Sequence, residues 1–251
     1  MQKLAVIPAR YEASRFPGKL MQPLGGQTVI AHTYLATKGA GLFDDVWVTT
    51  DSDVIADEIE RYKGTVVMSK GAHESGTDRI AEAVQDKDVG VIVNVQGDTP
   101  FVKKEALKKL LYLFDDAAVQ VASLMELITE NEVLNDPNAV KVCVDKYNNS
   151  LLFSRSVIPY PRNTTASITY YKHIGIYAFR KAALMQFTQW PVGQLEDAEK
   201  LEQLRFLENG IRLKMVLTEP MGIDINTQQD LERAQQLMER QKSTTPDSSP
   251  A

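Results

Sequence analysis

The stretch that decides the fold is residues 4–19, which read LAVIPARYEASRFPGK. It begins as an apolar run of strand length and ends as a loop that carries Arg10, Arg15 and Lys19. Pro8 is expected to end the strand, because a proline cannot donate to a central ladder. Ligands bind at the carboxyl ends of the strands in open α/β sheets, so these cations favour a polyphosphate site. The alternative is a solvated basic loop.

The composition indicates one large globular domain. The chain has 251 residues, of which 43% are hydrophobic and 24% charged. Its formal net charge of −5 disfavours a nucleic-acid-binding protein, which would more often be basic. No apolar run approaches the ~18 residues of a membrane span, and Met1-Gln2-Lys3 leads straight into a strand. We therefore expect a cytoplasmic protein that binds neither nucleic acid nor a membrane.

Strand and helix patterns alternate as far as about residue 125. A polar loop is expected at residues 73–79. The alternation predicts βα units and a mostly parallel sheet, and hence an α/β fold. The predicted strands are residues 45–50, 65–69, 90–95 and 118–124, and the predicted helices are residues 28–38, 54–62, 80–84 and 103–114.

The rhythm changes in the second half, where short loops join consecutive strands. A hairpin turn is expected at residues 147–149, and Gly210 is expected to end a helix. We predict an antiparallel insertion over about residues 131–171 of a single domain, residues 1–241, and a disordered tail at residues 242–251. The predicted strands are residues 140–144, 150–154, 174–179 and 212–217, and the predicted helices are residues 181–187, 195–209 and 228–241.

Two carboxylates are expected at the same edge of the sheet as the cations. Asp98 follows the buried strand at residues 90–95, and Asp224 follows the late strand at residues 212–217. Mg²⁺ is often held by one or two protein carboxylates together with substrate phosphate oxygens, so this pair could hold it. The alternative is that each aspartate caps the helix that follows it.

Standard phosphate and nucleophile motifs are absent from the sequence. There is neither a Walker A loop nor a Gly-x-Gly-x-x-Gly fingerprint, so side-chain cations must bind a polyphosphate. Arg10 and Lys19 are the candidates, while Arg15 could bind phosphate or pair with Glu12. No Gly-x-Ser-x-Gly elbow supports covalent catalysis. The residues alone indicate a Mg²⁺-dependent enzyme that acts on a nucleotide or a sugar phosphate.

Taken in order, six stretches of the chain resemble the 3-deoxy-manno-octulosonate cytidylyltransferases, also called CMP-Kdo synthetases. The first is the opening stretch at residues 7–19. The others are residues 75–79 (SGTDR), 93–98 (VNVQGD), 138–142 (NAVKV) with 153–155 (FSR) and 158–159 (IP), 173–177 (HIGIY) and 201–205 (LEQLR). Each motif is weak alone, but the ordered set spans about residues 3–240 and is specific.

The resemblance implies a Rossmann-like nucleotidyltransferase fold: a three-layer sandwich with a mostly parallel sheet and an antiparallel dimerisation insertion. It implies that a homodimer activates 3-deoxy-D-manno-octulosonate (Kdo) with CTP, giving CMP-Kdo and diphosphate for lipopolysaccharide biosynthesis. Mg²⁺ is the implied cofactor.

The resemblance also implies a role for individual residues. Arg10, Lys19 and Asp98 would be catalytic, and Asp98 and Asp224 would bind Mg²⁺. Residues near the nucleotide would be Ala9, Arg10, Ser14, Lys19, Ser75, Gly76, Arg79 and Gln96. Residues near the sugar would be Gln96, Arg155, His173, Tyr177, Glu202 and Gln203. Arg155 would bind the sugar carboxylate through a two-pronged hydrogen bond, the alternative being a salt bridge at the dimer interface.

The chain departs from the family pattern near the metal strand. Thr99 stands where the family usually has a glutamate, Leu20 stands where proline often follows the lysine, and the segment around Asp224 is longer. A modified substrate such as an 8-amino octulosonate therefore stays open. So do a CMP-sugar synthetase for a sialic-acid-like sugar and a catalytically silent nucleotide-binding protein.

Overall fold

The computed structural model describes residues 1–12, 16–71, 73, 75–163, 165 and 167–244. The strands are β1 (Lys3–Ala9), β2 (Pro23–Leu24), β3 (Gln27–Thr28), β4 (Asp45–Thr50), β5 (Thr65–Met68), β6 (Val91–Asn94), β7 (Val121–Leu127), β8 (Lys141–Val144), β9 (Ser150–Ser154), β10 (Tyr171–Arg180) and β11 (Lys214–Leu217). The helices are α1 (Val29–Gly39), α2 (Asp53–Arg61), α3 (Gly76–Val84), α4 (Lys104–Tyr112), α5 (Asn131–Asn135), α6 (Lys181–Phe187), α7 (Gln194–Glu199), α8 (Gln203–Glu208) and α9 (Gln228–Thr244).

The main sheet has the strand order β11-β7-β10-β6-β1-β4-β5. Strands β6, β1, β4 and β5 pair in parallel, as do β11 and β7. Strand β10 lies antiparallel between β6 and β7. It also pairs antiparallel with β8, which forms a hairpin with β9. The predicted mostly parallel α/β sheet and the antiparallel hairpin within the insertion are therefore confirmed.

Helices cover both faces of this sheet, which gives the three expected layers. On β1, Ala5 and Ile7 face a core built with α1, α2, α4 and α9. Leu4 and Val6 face a second core built with α3, α6 and α8. All four side chains are buried, as expected for a parallel strand that is covered on both sides.

The prediction that Pro8 ends the first strand is wrong, because β1 runs to Ala9 and pairs with β4 throughout. Val6 O accepts a hydrogen bond from Val95 N, so Val6 faces β6, and Pro8, two residues on, faces the same side. Strand β6 ends at Asn94, so no ladder bond is needed from Pro8 on that side. The proline therefore stands where its missing N–H costs nothing.

Two helix predictions also needed correction. Helix α3 begins at Gly76 instead of residue 80, because Ser75 caps it and accepts a hydrogen bond from Asp78 N at 3.2 Å. The helix predicted at residues 195–209 is two helices, α7 and α8, separated where Lys200 adopts a left-handed φ of 52°. The polar segment that leads into the cleft is thus partly helical, and the second break places residues 201–202 in a loop.

The remaining boundaries lie close to the predictions. Strand β9 and helix α6 have the predicted bounds, Asn148 forms the hairpin turn with a φ of 60°, and Gly210 follows α8 with a φ of 79°. Helix α9 continues to Thr244, and the rest of the predicted tail lies outside the described residues. None of the helices in the described ranges is both long enough and apolar enough to cross a membrane.

Candidate active site

A polar cleft lies at the carboxyl ends of β1 and β6. Its lining brings together most of the residues predicted to bind the nucleotide, and Ser14 and Arg15 lie outside the described residues. The lining residues are Pro8, Ala9, Arg10, Phe16, Lys19, Leu20, His73, Ser75, Gly76, Arg79, Gln96, Gly97, Asp98 and Asn226. The cleft therefore stands at the sheet edge where α/β folds bind ligands.

Lys19 stands at the centre of this cleft. The turn before it depends on Gly18, which has a left-handed φ of 67° and donates its N–H to Tyr11 O at 3.1 Å. The Lys19 ammonium forms an ion pair with Asp98 and donates to Asn226 Oδ1 at 3.3 Å. Lys19 thus connects the loops that follow β1, β6 and β11.

Gly97 allows Asp98 to reach Lys19. A Cβ atom on Gly97 would lie 3.1 Å from Pro8 O and 3.2 Å from the Ile30 side chain. Only a glycine therefore lets the loop after β6 pack this closely against the end of β1. The Thr33 hydroxyl fixes the same loop by donating to Gly97 O at 2.9 Å.

Asp98 and Asp224 are held together, and the chemistry of this pair fits Mg²⁺. Ile225 N donates to Asp98 O at 2.9 Å, which ties the two segments to each other. Burial, followed by the charge of Asp98, raises the pKa of Asp224 to about 6, while Lys172 and Thr99 oppose the rise. Two nearby carboxylates that repel each other would gain from a divalent cation between them.

The capping alternative does not account for either aspartate. Lys103 occupies the N-cap position of α4, and Asp98 lies five residues before it. At the start of α9, the Asp230 carboxylate accepts hydrogen bonds from Thr227 N at 2.9 Å and Asn226 N at 3.2 Å. Within the ranges described, no group of three or more His, Cys, Asp or Glu side chains could hold a metal ion. Any Mg²⁺ at the pair would therefore need oxygens from a substrate or from water.

The two arginines predicted to lie near the nucleotide differ in their surroundings. Arg79 is buried and forms an ion pair with Asp51 at 2.7 Å, and it also donates to Ser69 Oγ at 3.2 Å. Its guanidinium holds the pKa of Asp51 below the usual range. Arg10 is exposed at the cleft. Arg79 thus ties α3 to the end of β4, and among the predicted cations that the structure describes, Arg10 and Lys19 remain the candidates for a triphosphate.

A second pocket adjoins the cleft through Ser75, which lines both. Its other lining residues are Val192, Glu196, Asp197, Lys200, Glu202 and Arg205. Glu202 accepts a hydrogen bond from Thr77 Oγ1 at 2.8 Å. Burial raises the pKa of Glu202 to about 7, with a smaller contribution from the charge of Asp78. Glu202 is therefore partly protonated near neutral pH.

Three predicted sugar-binding residues form a buried hydrogen-bonded group beside the cleft. The Tyr177 hydroxyl donates to Gln203 Oε1 at 3.1 Å, and Gln203 Nε2 lies 3.4 Å from His173 Nδ1. Burial lowers the pKa of His173 to about 3 and raises that of Tyr177, so both side chains are uncharged near neutral pH. A Cβ on Gly175 would lie 3.8 Å from Gln96 Cγ, which places this part of β10 next to the cleft.

Arg155 is not among the residues that line the cleft or the adjoining pocket. It donates from Nε to Glu199 O at 2.8 Å and from Nη1 to Pro137 O at 3.0 Å. The Glu199 carboxylate in turn accepts from Arg155 N at 2.8 Å and Ser154 Oγ at 2.6 Å. These bonds indicate that Arg155 positions Glu199 and the loop after it. They do not favour the predicted two-pronged contact with the sugar.

Sequence reasoning missed two side chains that line the cleft. Asn226 contacts Lys19, and His73 lies 2.7 Å from the Glu82 carboxylate. Asn226 could have been found by the logic that located Asp224, because it follows the same late strand toward the same edge. His73 shows no metal-ligand spacing, so its place in the cleft carries no local signal.

Comparisons with known proteins agree on one family. A family model described as cytidylyltransferase matches residues 4–215. The 3-deoxy-manno-octulosonate cytidylyltransferase of Flavobacterium johnsoniae is 55% identical over 95% of this chain and 99% of its own length. The enzyme of the same name from Christiangramia forsetii is 52% identical over 94% of this chain and 96% of its own length.

Solved structures give the same result. A CMP:2-keto-3-deoxy-manno-octonic acid synthetase complexed with CTP superposes with a TM-score of 0.91 at 36% identity, over 96% of this chain and 100% of that one. A 4-diphosphocytidyl-2C-methyl-D-erythritol synthase from Anaerococcus prevotii has a TM-score of 0.64 at 18% identity, over 95% of this chain and 99% of that one, and so shares the fold alone.

Proposed function

The chain belongs to the 3-deoxy-manno-octulosonate cytidylyltransferase family, and we propose that it transfers the cytidylyl group of CTP to Kdo in the cleft described above. The products are CMP-Kdo and diphosphate, and the reaction activates Kdo for lipopolysaccharide biosynthesis. The observation that carries the proposal is the meeting of Arg10, Lys19, Gln96 and Asp98 at one sheet edge in a chain with this family membership.

The cations of the cleft are assigned to the triphosphate. Arg10 is exposed at the rim, and Lys19 is held in place by Asp98 and Asn226. The helix α3 begins at the cleft with Ser75 and Gly76, so its free N–H groups also favour an anion there. A fixed ammonium can stabilise the charge that develops on the leaving diphosphate without having to reorganise.

Asp98 and Asp224 are assigned to Mg²⁺. Their two carboxylates fit a hard cation that keeps substrate and water oxygens as its other ligands. When bound, Mg²⁺ would supply charge neutralisation at the phosphate oxygens and polarisation of the α-phosphate. The chain's own residues set the position of the pair through the Ile225 N to Asp98 O hydrogen bond.

Kdo is assigned to the side formed by β10 and the loop before α8. There Gln203, His173 and Tyr177 offer uncharged hydrogen-bonding groups, and Glu202 faces the adjoining pocket. The anomeric hydroxyl of the sugar would form a bond to the α-phosphorus as the bond to the diphosphate breaks, and the hydroxyl proton would pass to water. Two reactants fixed at adjoining sites react without the entropic cost of a free encounter.

The working unit is assigned as a homodimer, joined through the insertion. Leu151 and Leu152 on β9 are exposed, as is Leu127 at the end of β7. Exposed aliphatic side chains such as these would be covered in a subunit interface. Light scattering would report twice the chain mass if the assignment is right and the single-chain mass if it is wrong. We also assign a cytoplasmic location, where CTP is available.

Release of diphosphate tests the reaction itself. We expect release from CTP and Mg²⁺ with Kdo and none without a sugar, and an 8-amino octulosonate should be tested in parallel. Thr99 beside Asp224 is the observation that favours including the amino sugar, since the sequence lacks the usual glutamate there. Release with the amino sugar alone would replace the substrate and keep the reaction. No release with either sugar, from folded protein that binds CTP, would overturn the proposal.

A further inference from the structure

Strand β10 carries a bulge beside the sugar-binding residues. On the pairing with β7, Ile174 lies opposite Leu124, but Tyr177 lies opposite Ser123. One step along β7 therefore corresponds to three along β10, and residues 175–176 have no counterpart. Bulges of this kind interrupt the ladder and redirect side chains, often next to active sites.

The Ser123 side chain fills the interruption in the ladder. Its hydroxyl oxygen lies 3.2 Å from Ile174 O, just before the bulge, and 2.9 Å from Ile176 O, within it. It also lies 2.9 Å from His173 Nε2. Ser123 is fully buried and His173 nearly so, so water does not readily replace any of these bonds.

This arrangement fixes the direction of each hydrogen bond. A serine hydroxyl has one hydrogen, and the two carbonyls can only accept, so that hydrogen goes to one of the carbonyls or is shared between them. His173 must then donate from Nε2 to Ser123, which leaves Nδ1 as the acceptor for Gln203 Nε2. Gln203 Oε1 faces the Tyr177 hydroxyl, which donates to it. Reversing the Gln203 amide would set Oε1 against the lone pair of His173 Nδ1, whereas the Tyr177 hydroxyl could pair with either end of the amide, so the His173 contact decides the orientation.

We propose that Ser123 is a positioning residue for sugar recognition: it fixes the Nε2-protonated form of His173 and thereby the orientation of the Gln203 amide. The second N–H of Gln203 is then the group left to donate to an oxygen of the sugar. This inference rests on the proposed function, because it takes Gln203 to be part of the sugar-binding side. Its structural content, the tautomer of His173, can be measured without any turnover.

The first test determines which ring nitrogen of His173 carries the proton. The chain has three histidines, so nitrogen-15 NMR of histidine-labelled protein gives few signals, and His173→Gln identifies those of His173. We expect a neutral ring protonated at Nε2 between about pH 6 and pH 8, because its pKa is lowered to about 3. A proton on Nδ1 in the wild-type protein would overturn the proposal.

The second test separates positioning from stability. Ser123→Ala should raise the KM for Kdo about 3- to 10-fold and leave the KM for CTP unchanged, since one neutral hydrogen bond is lost on the sugar side. Ser123→Thr keeps the hydroxyl and should restore both the KM and the His173 signals. The matched control is Ser150→Ala, which removes a buried hydroxyl that accepts from Leu213 N at 2.9 Å.

Equal changes in both KM values, or the same sugar KM change in Ser150→Ala, would reduce Ser123 to a structural role and contradict the proposal. If Ser123→Ala does not fold, the proposal is tested by the tautomer of His173 in the wild-type protein and by the KM for Kdo of Ser123→Thr. If the wild-type protein releases no diphosphate with either sugar, the proposed function fails, whereas the tautomer still shows whether Ser123 orients His173 and Gln203.

Discussion

The two halves of the candidate site differ in how they hold their polar groups. On the nucleotide side, Lys19 and Asp98 form an ion pair in which both side chains keep about a sixth of their surface exposed, at 17% and 18%. On the sugar side, His173, Tyr177 and Gln203 are buried, uncharged and joined by hydrogen bonds. One side of the site thus presents charged groups to water, and the other holds a buried group of uncharged side chains beside a pocket that Glu202 and Arg205 line.

The difference corresponds to the two substrates. A triphosphate carries several negative charges in any conformation, so fixed cations in contact with water recognise it without demanding a single hydrogen-bond direction. Besides its carboxylate, the sugar offers hydroxyl groups that both donate and accept, and the recognition of these hydroxyl groups needs donors and acceptors of known orientation. Burial supplies that orientation, because a buried donor or acceptor left unpaired costs about 1–3 kcal/mol.

The largest effect is expected from Asp98→Asn. The substitution removes the carboxylate that pairs with Lys19 and that we assign to Mg²⁺. Turnover should fall by more than about 10³-fold, measured as diphosphate release with CTP, Mg²⁺ and Kdo. The melting temperature should be measured in parallel to establish that the variant folds. Near-normal turnover of the folded variant would contradict the role assigned to Asp98 in binding Mg²⁺ and positioning Lys19.

Lys19→Ala should cost roughly 10²–10³-fold in turnover, because one preorganised positive group is lost at the leaving diphosphate. The KM for Kdo should stay within about twofold, since the side-chain contacts that Lys19 makes within the described residues are with Asp98 and Asn226 in the charged half. Lys38→Ala is the matched control: Lys38 donates to Tyr34 OH at 2.9 Å on α1 and is exposed. A similar loss in both variants would show a general effect of lysine removal.

The sequence predicted the charged half better than the neutral one. A strand followed by cations and an aspartate after a buried strand are local patterns, so Lys19 and Asp98 were placed correctly in one cleft. The sequence around Arg79 did not indicate that its guanidinium is paired with Asp51, because the two residues are 28 positions apart. Charge alone therefore identified a binding edge without saying which cations are already paired.

The neutral half depends on contacts between distant parts of the chain. His173 meets Ser123 across 50 positions and Gln203 across 30, and no periodicity records such pairs. The resemblance to a known family supplied the residues, and the structure supplied the protonation states. The break at Lys200 also escaped prediction, because a left-handed residue at a helix end is usually glycine or asparagine.

Glu202→Gln tests whether the sugar side is as dry as its contacts indicate. The pKa of Glu202 is raised to about 7, so the folded protein holds this proton more tightly than the unfolded chain. The contribution of the proton to stability is present at low pH and is lost as the pH rises between about 4.5 and 7, on the order of 1 kcal/mol per pH unit. The glutamine variant lacks this dependence.

The unfolding free energy of Glu202→Gln, measured by urea denaturation, should therefore increase relative to that of the wild type as the pH rises from 5 to 8. Glu105→Gln, at an exposed position on α4, is the control and should run parallel to the wild type. Parallel curves for Glu202→Gln as well would mean that its carboxyl is solvated and that the contrast between the halves is smaller than described.

The smallest effect is expected from Arg155→Lys. One ammonium cannot reach both Glu199 O and Pro137 O, so stability should fall by about 1–2 kcal/mol in the same denaturation assay. The KM for Kdo should rise by less than about threefold, because the residue acts through the loop after Glu199. Arg162→Lys, exposed in the insertion, is the control. A large rise in the KM for Kdo at unchanged stability would restore the direct contact between Arg155 and the sugar.

The division of the site into a charged half for CTP and a neutral half for the sugar is tested most directly by Gln203→Ala, with both KM values measured by diphosphate release. Gln203 joins His173 to Tyr177, and within the described part of the chain its side-chain hydrogen bonds are with these two uncharged groups. We predict that the KM for Kdo rises about tenfold or more while the KM for CTP stays within about twofold. An equal rise in both KM values, or a rise for CTP alone, would contradict it.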